Sequence, residues 1–568
     1  MVSLCGGEGW CESCIVRLER GVCQPPTEAE RLVFSFEALD EGYRLACQTI
    51  PQSDVKVYLP PESLTAPQRL QVEGEAAPVT LDPRVKAIDL VLTPPTLEDQ
   101  QADTQRLRNA LARLDHPEVV IEFPLLETLS DILREQNWQA RLALCQDRLV
   151  AVLPPGARLL GLAVDIGTTK LAGYLVDLST GETIAKTGAM NPQIAYGEDV
   201  ISRIAYAQED PVKRRLLQSS LVEALNAMLA DLCSSSGVLP HQVAQAVIVG
   251  NTAMHHLFAG LPVRQLAHAP YVPAVSEALS FPASQVGLGL APGGVVQLLP
   301  NIAGYVGADH VAVILATRLW EASQPAIAID IGTNTEISLA VDGRLYSCSC
   351  ASGPAFEGAH IHDGMRAAPG AIERVQMIQD DIRIYTIGDQ PPAGICGSGI
   401  LDVVAELRRN GILDERGGLN SINPRVRPSQ QGLEFMLVPE ADTAHGKDIT
   451  ISRRDVNEIQ LAKAAIRTGI DVLLEVAGLQ AQDVHDWIIA GAFGTYINLE
   501  SAIRIGLFPP APLERFRQVG NAAGMGARQA LLSRSSFHIA EQVAREVNYI
   551  ELTTYEGFQE RFLKAMYL

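Results

Sequence analysis

AVDIGTTKLAGYLVD (163–177) and AIDIGTNTEISLAVD (328–342) are two copies of one pattern. In each, an apolar β-branched run enters Asp-Ile-Gly-Thr and a second run follows at once. That is the signature of a β-hairpin whose turn carries Gly and Thr. The turn suits an anion. Gly167 lets the backbone approach closely and is expected to reach positive φ. Thr168 and Thr169 offer hydroxyls, and successive amides of a tight turn form an anion-binding concavity. Lys170 adds a point charge suited to phosphate. Asp165 can hold Mg²⁺, through water in the usual Mg²⁺ manner. Asp330, Gly332, Thr333 and Asn334 repeat the turn without the lysine. One such hairpin is equally a plain β-turn. Two copies about 165 residues apart predict two similar lobes facing each other across a nucleotide cleft.

Outward from these copies, the pattern is glycine-rich and β-branched from residue 160 almost to the end, with helical stretches such as 212–232 between the copies. The predicted fold class is multidomain α/β. We read 159–568 as the two-lobed ATP-binding domain and 83–158 as a small α/β middle domain. In the latter, VKAIDLVL and EVVIEF read as strands, and TLEDQQADTQRLRNALARL and LLETLSDILREQ as helices. Residues 59–82, rich in Pro, Glu and Ala, read as a linker. Residues 1–58 are cysteine-rich.

The cysteines carry the second chemistry. Cys5, Cys11 and Cys14 lie in CGGEGWCESC and Cys47 follows in YRLACQT. Three thiolates on one loop plus one from afar is the plant-type [2Fe–2S] layout, here with one extra residue in the first gap. Zinc is the alternative, although zinc sites usually have two CxxC-like pairs and Cys47 stands alone. Gly6, Gly7 and Gly9 let the loop aim its amides at the sulfurs. Cys23, Cys145, Cys233, Cys348, Cys350 and Cys396 lack ligand spacing and read as buried free thiols.

The chain has 568 residues and a formal net charge of −21. Such acidity argues against nucleic acid or an anionic membrane as partner and suits a positively charged protein patch. No run approaches the ~18 apolar residues of a spanning helix, and no basic-then-apolar start marks a secretory signal. A cytoplasmic location is expected.

The two turns resemble the phosphate-1 and phosphate-2 loops of the acetate and sugar kinase/Hsp70/actin superfamily. That resemblance implies two ribonuclease-H-like lobes closing on ATP. Cys396-Gly397-Ser398-Gly399, leading into a helix, resembles its connecting segment. Gly491-Ala492-Phe493-Gly494 resembles its adenosine loop. A carboxylate base is not evident; Asp199, Asp309 and Glu336 are candidates. His360, His362 and Asp363 look like a metal cluster but lack ligand spacing.

With its cysteines, the chain resembles the ferredoxin-containing reductive activators of corrinoid proteins. NPQIAYGEDVISRI (191–204), VGNTAMHHLF (249–258), CASGPAFEGAHI (350–361) and GICGSGILD (394–402) carry that resemblance over nearly the full length. It implies a ferredoxin-like β-grasp domain, N-terminally incomplete here because Cys5 comes before the usual hairpin and helix. It implies one electron passed from the cluster to Co(II) of a corrinoid partner, with ATP hydrolysed and a low-potential donor supplying the electron, and it leaves room for a homodimer. The ATP has a physical reason. A plant-type cluster sits near about −400 mV, the family's Co(II)/Co(I) couple lies lower, and each 100 mV uphill costs roughly 2.3 kcal/mol. The competing readings are a small-molecule kinase and an ATP-gated remodelling module without redox activity.

Overall fold

In the computed structural model of the chain, the described residues are 14–58, 72–75, 78–358, 360–378, 381–429, 432–491 and 493–568. The two DIGT hairpins nucleate two matching sheets. In the first lobe, Leu160–Ile166 pairs antiparallel with Lys170–Asp177, which pairs with Thr183–Met190. On its other side Leu160–Ile166 meets Val243–Gly250 in parallel, and Val295–Leu298 follows, also parallel. In the second lobe, Ala326–Ile331 pairs antiparallel with Thr335–Val341, then Arg344–Cys350 follows. Asp486–Ala490 and Phe516–Gly520 lie parallel on the other side. With the edge strands Leu279–Pro282 and Asn548–Tyr549 left out of the count, both sheets run 3-2-1-4-5 in chain order.

The central strands read as continuous apolar runs because helices cover both faces. Every residue of Val243–Gly250 is buried, and Ala326–Ile331 is buried save Asp330. One apolar core fills the outer side of each lobe. A third lies between the lobes and takes in Ala308, Val311 and Ala312 of one helix and Ala523, Ala527 and Leu531 of another. Those helices, Ala308–Thr317 and Ala522–Leu532, cross the lobe boundary side by side.

The small domain has its own core and a sheet of four strands, Val85–Val91, Gln139–Cys145, Arg148–Leu153 and Val120–Ile121. The two strands Gln139–Cys145 and Arg148–Leu153 form a hairpin that the sequence reading passed over. EVVIEF yields only a two-residue strand, because Phe123 and Pro124 open a helix. Around Cys14 and Cys47, Ile15–Arg20 forms a three-stranded sheet with Tyr43–Leu45 and Lys56–Tyr58.

The stretch read as a linker is not free along its whole length. Residues 72–75 lie against both lobes. Tyr174 Oη of the first lobe donates to the Val72 carbonyl at 2.9 Å, and Glu73 forms an ion pair with Lys186. From the second lobe, Asn521 N donates to the Glu73 carbonyl at 2.8 Å, Glu75 N donates to the Val519 carbonyl at 3.0 Å, and Arg517 pairs with Glu75.

Candidate active site

A cavity of about 240 Å³ opens between the lobes, and both DIGT turns face it. Asp165, Gly167, Thr168, Thr169 and Lys170 line it from the first lobe. Asp330, Gly332, Thr333 and Asn334 line it from the second. The turns are shaped by close packing. A Cβ on Gly167 would sit 2.6 Å from the Lys170 carbonyl oxygen. The expected positive φ does not occur: neither Gly167 nor Gly332 is among the left-handed glycines. Gly167 is there for space.

The connecting segment opens the helix Gly397–Arg409 with its N-terminus at the cavity, a position favourable to anions. Gly397 and Ser398 line the cavity, whereas Gly399 packs away from it against the Ile372 carbonyl. A Cβ on Gly397 would fall 1.7 Å from the Phe356 carbonyl oxygen. In the adenosine-loop segment, Gly491 has φ +89° and approaches Ile331 O and Asp330 Oδ1 too closely for any side chain. Phe493 lines the cavity and stacks on Phe356, ring centres 4.8 Å apart. Gly494 lies behind it and bonds Gln518. Ala492 lies outside the described residues.

Four carboxylates meet in the cleft: Asp165, Asp309, Asp330 and Glu336. The cavity touches them, and protein walls them on all other sides. Burial raises Asp165 to about 6, and the Asn521 amide partly offsets this. Burial and then the Asp165 charge raise Asp330 to about 7. Asp309 is pushed well up by burial and by both aspartates, and Glu336 by burial, Asp309 and Asp330. Burial and mutual repulsion thus favour the protonated forms of these acids. Lys170 is lowered by burial, while the Glu357 charge holds it up.

Three further residues, missed in the sequence reading, complete the cleft. Asn251 Nδ2 donates to Thr168 Oγ1 at 3.0 Å, and Asn521 Nδ2 donates to Asp165 Oδ2 at 3.1 Å. Each asparagine also caps the helix that follows it. Their signal was present as a second repeat, Val249-Gly250-Asn251 and Val519-Gly520-Asn521, each at a strand end. The third is Glu357, at the end of the short turn Pro354–Glu357. Its carboxylate accepts from Thr169 Oγ1 at 3.0 Å and from Thr333 Oγ1 at 2.5 Å, one hydroxyl from each DIGT turn.

Asp199 is corrected: it caps the helix Val200–Glu209, accepting from Ser202 N and Ser202 Oγ, and does not line the cavity. His362 pairs with Asp363 at 3.2 Å, and Asp363 accepts from Thr450, which braces its loop on the strand Ile449–Ser452. Among the described residues no group of three or more His, Cys, Asp or Glu is placed to hold a metal.

Of the four cysteines read as cluster ligands from the sequence, Cys14 and Cys47 are among the described residues; Cys5 and Cys11 lie outside them. Cys14 is buried, and its carbonyl accepts from Ala46 N at 2.9 Å, which sets Cys47 next to it in the chain. The Cys47 turn hangs on Glu30. This buried carboxylate accepts from Arg44 Nε at 2.9 Å, Leu45 N at 3.0 Å and Thr49 Oγ1 at 3.2 Å. Burial opposes its charge, yet bonds from Arg44, Thr27 and Leu45 outweigh that and leave its pKa low. Two soft thiols on facing turns suit an iron–sulfur group.

Among solved structures, the chain is similar to "Reductive activator for corrinoid,iron-sulfur protein", at 36% identity and a TM-score of 0.77, covering 100% of this chain and 93% of that one. It is 32% identical to "Corrinoid activation enzyme RamQ" of Eubacterium limosum over 99% of this chain and 93% of RamQ. The chain belongs to the family of reductive activators of corrinoid proteins. Family models match it in four consecutive pieces: a "2Fe-2S iron-sulfur cluster binding domain" at 2–52, the "RACo linker region" at 74–158, the "RACo middle region" at 160–322, and the "C-terminal domain of RACo the ASKHA domain" at 324–568. The family's terms divide the chain differently from the sequence reading: its middle region is the first lobe, and 83–158 falls in its linker region. A "[Co(II) methylated amine-specific corrinoid protein] reductase" of Methanosarcina barkeri is 26% identical over 71% of this chain and 76% of its own length. Among the described residues no helix is long and apolar enough to cross a membrane.

Proposed function

We propose that the chain performs ATP-dependent reductive activation of a corrinoid protein, returning one electron to Co(II) to regenerate Co(I). The observation that carries this reading is the union, on one chain of this family, of a cluster-binding segment and a cleft built for a polyphosphate. ATP fits the cleft by its chemistry. Thr168, Thr169 and Thr333 supply hydroxyls, Lys170 supplies charge, and the helix at Gly397 points its amides inward. Phe493 and Gly491 supply an apolar wall and a close backbone for the nucleoside.

Asp165 and Asp330 are the residues we assign to Mg²⁺, through water. When bound, Mg²⁺ neutralises charge on the phosphates. The four cleft acids then have a reason to ionise together, which they lack without a cation. Asn521 holds Asp165 from the opposite lobe, so a nucleotide that engages Asp165 acts on the lobe contact as well.

Cys5, Cys11, Cys14 and Cys47 are the ligands we assign to a [2Fe–2S] group, which when bound supplies a single electron at low potential. Glu30 orients the turn that carries Cys47. A low-potential donor reloads the site, and the cobalt belongs to the partner. ATP makes the uphill transfer feasible only if its binding states differ in affinity for the partner complex.

The test is anaerobic. Purified protein should contain iron and acid-labile sulfide in equal amounts. With a donor and a Co(II) corrinoid protein, it should form Co(I), read by its visible absorption, only when ATP is present. Co(I) formation at the same rate without ATP overturns the proposal.

A further inference from the structure

We propose that Glu357 is the general base of ATP hydrolysis, taking the proton of the water that attacks the terminal phosphate. The inference rests on the function proposed above and adds the residue that the sequence left unnamed.

The geometry selects Glu357 from the acids of the cleft. Asp165, Asp309, Asp330 and Glu336 act on one another: burial raises all four, and neighbouring charge raises Asp309, Asp330 and Glu336 further. Glu357 stands apart from them electrostatically: its charge acts on Lys170 and Arg203. Each of its oxygens is tied to a different phosphate loop, Oε2 to Thr169 and Oε1 to Thr333. Those hydroxyls are the donors a terminal phosphate would take. A phosphate seated between them lies beside this carboxylate and frees both of its oxygens to accept from water. The position is rigid. Phe356, the preceding residue, is buried, stacks on Phe493 and lies flush against Gly397. A base must be held within hydrogen-bond reach of the proton it takes, and this one is fixed by packing on both sides.

The step balances. The water oxygen bonds to the terminal phosphorus. The bond from that phosphorus to the bridging oxygen breaks, and its electron pair leaves with ADP. The water's proton passes to a Glu357 oxygen and from there to solvent, so ADP, phosphate and one proton are released.

The experiment uses the full chain with Mg²⁺ and ATP, with and without a Co(II) corrinoid protein, and compares steady-state ATPase rates with ATP affinity measured by calorimetry. In Glu357→Gln, kcat falls about 10²- to 10⁴-fold, the usual worth of a general base. The Kd for ATP stays within about threefold or tightens, because a negative charge beside the phosphates is gone. Glu357→Asp, which keeps a carboxylate, retains more of the wild-type kcat than Glu357→Gln. A Gln variant within about threefold of wild-type kcat overturns the assignment. So does a loss of ATP binding that parallels the loss of kcat, or an Asp variant no faster than the Gln variant. A wild-type chain that hydrolyses no ATP under either condition overturns the proposed function itself, whereas an active wild type with an equally active Gln variant overturns only the role of Glu357.

Discussion

Asn521 donates to Asp165 across the cleft at 3.1 Å, so a side chain of the second lobe holds the first lobe's loop aspartate. The bond lowers the Asp165 pKa against the upward push of burial. In Asn521→Ala, Asp165 should therefore protonate at higher pH. The acid limb of ATPase activity moves upward in pH, and the KM for ATP rises severalfold. Steady-state kinetics across pH 5–9 check this, and an unmoved limb contradicts it.

The cleft acids make a stability prediction with a definite sign. Burial holds Asp330 at about 7, against about 3.9 for an unfolded aspartate. Between those values the folded chain binds more protons than the unfolded one. Stability therefore falls as pH rises through that window and levels off above it. Asp330→Asn removes the charge. Without nucleotide or Mg²⁺ it should melt a few degrees above wild type at pH 8 and level with it near pH 4, while losing activity. Differential scanning calorimetry at the two pH values decides it; a gap that is equal at both refutes the cause.

Gly397 has no room for a methyl group, because the Phe356 carbonyl oxygen is in its place. Gly397→Ala must push the turn carrying Glu357 out of the cleft or distort the helix. Overpacking of this kind costs about 1–3 kcal/mol, and more where backbone is the obstacle. The variant should melt lower and lose ATP affinity at least tenfold by calorimetry.

Glu30 and Arg44 form a buried pair. Removing one partner of such a pair costs about 3–5 kcal/mol, and Glu30 also holds Leu45 and Thr49 on either side of Cys47. Glu30→Ala should bleach the visible absorption of the cluster much faster under air, with ATP affinity unchanged. Equal bleaching rates would remove Glu30 from any role in the cluster's support.

The fold was legible where chemistry is written in repeated side chains. Asp165 and Asp330, with their glycines and threonines, announced two lobes, and the strand order of each lobe bears that out. The hairpin Gln139–Cys145 with Arg148–Leu153 was not legible, because its two-residue turn uses Gln146 in the left-handed region and lacks the Asn-Gly or Asp-Gly signal. Glu357 was invisible for another reason. Its meaning comes from two hydroxyls 188 and 24 residues away, and no local pattern encodes that meeting. Asn251 and Asn521 carry no chemistry of their own in the sequence; only the fold sets both against the loop of Asp165 and Thr168.

The short stretch 72–75 is fastened to both halves of the ATPase by hydrogen bonds to its main chain, by two ion pairs and by the Val72 side chain packed on the core between the lobes. If one lobe turns against the other, Tyr174 and Asn521 cannot both keep their hold on Val72 and Glu73 unless that stretch travels with them. Nucleotide-driven closure thus either snaps one of two hydrogen bonds or tows the chain that leads back to the cysteines. The ATPase and the electron carrier are joined by a mooring line as well as by sequence.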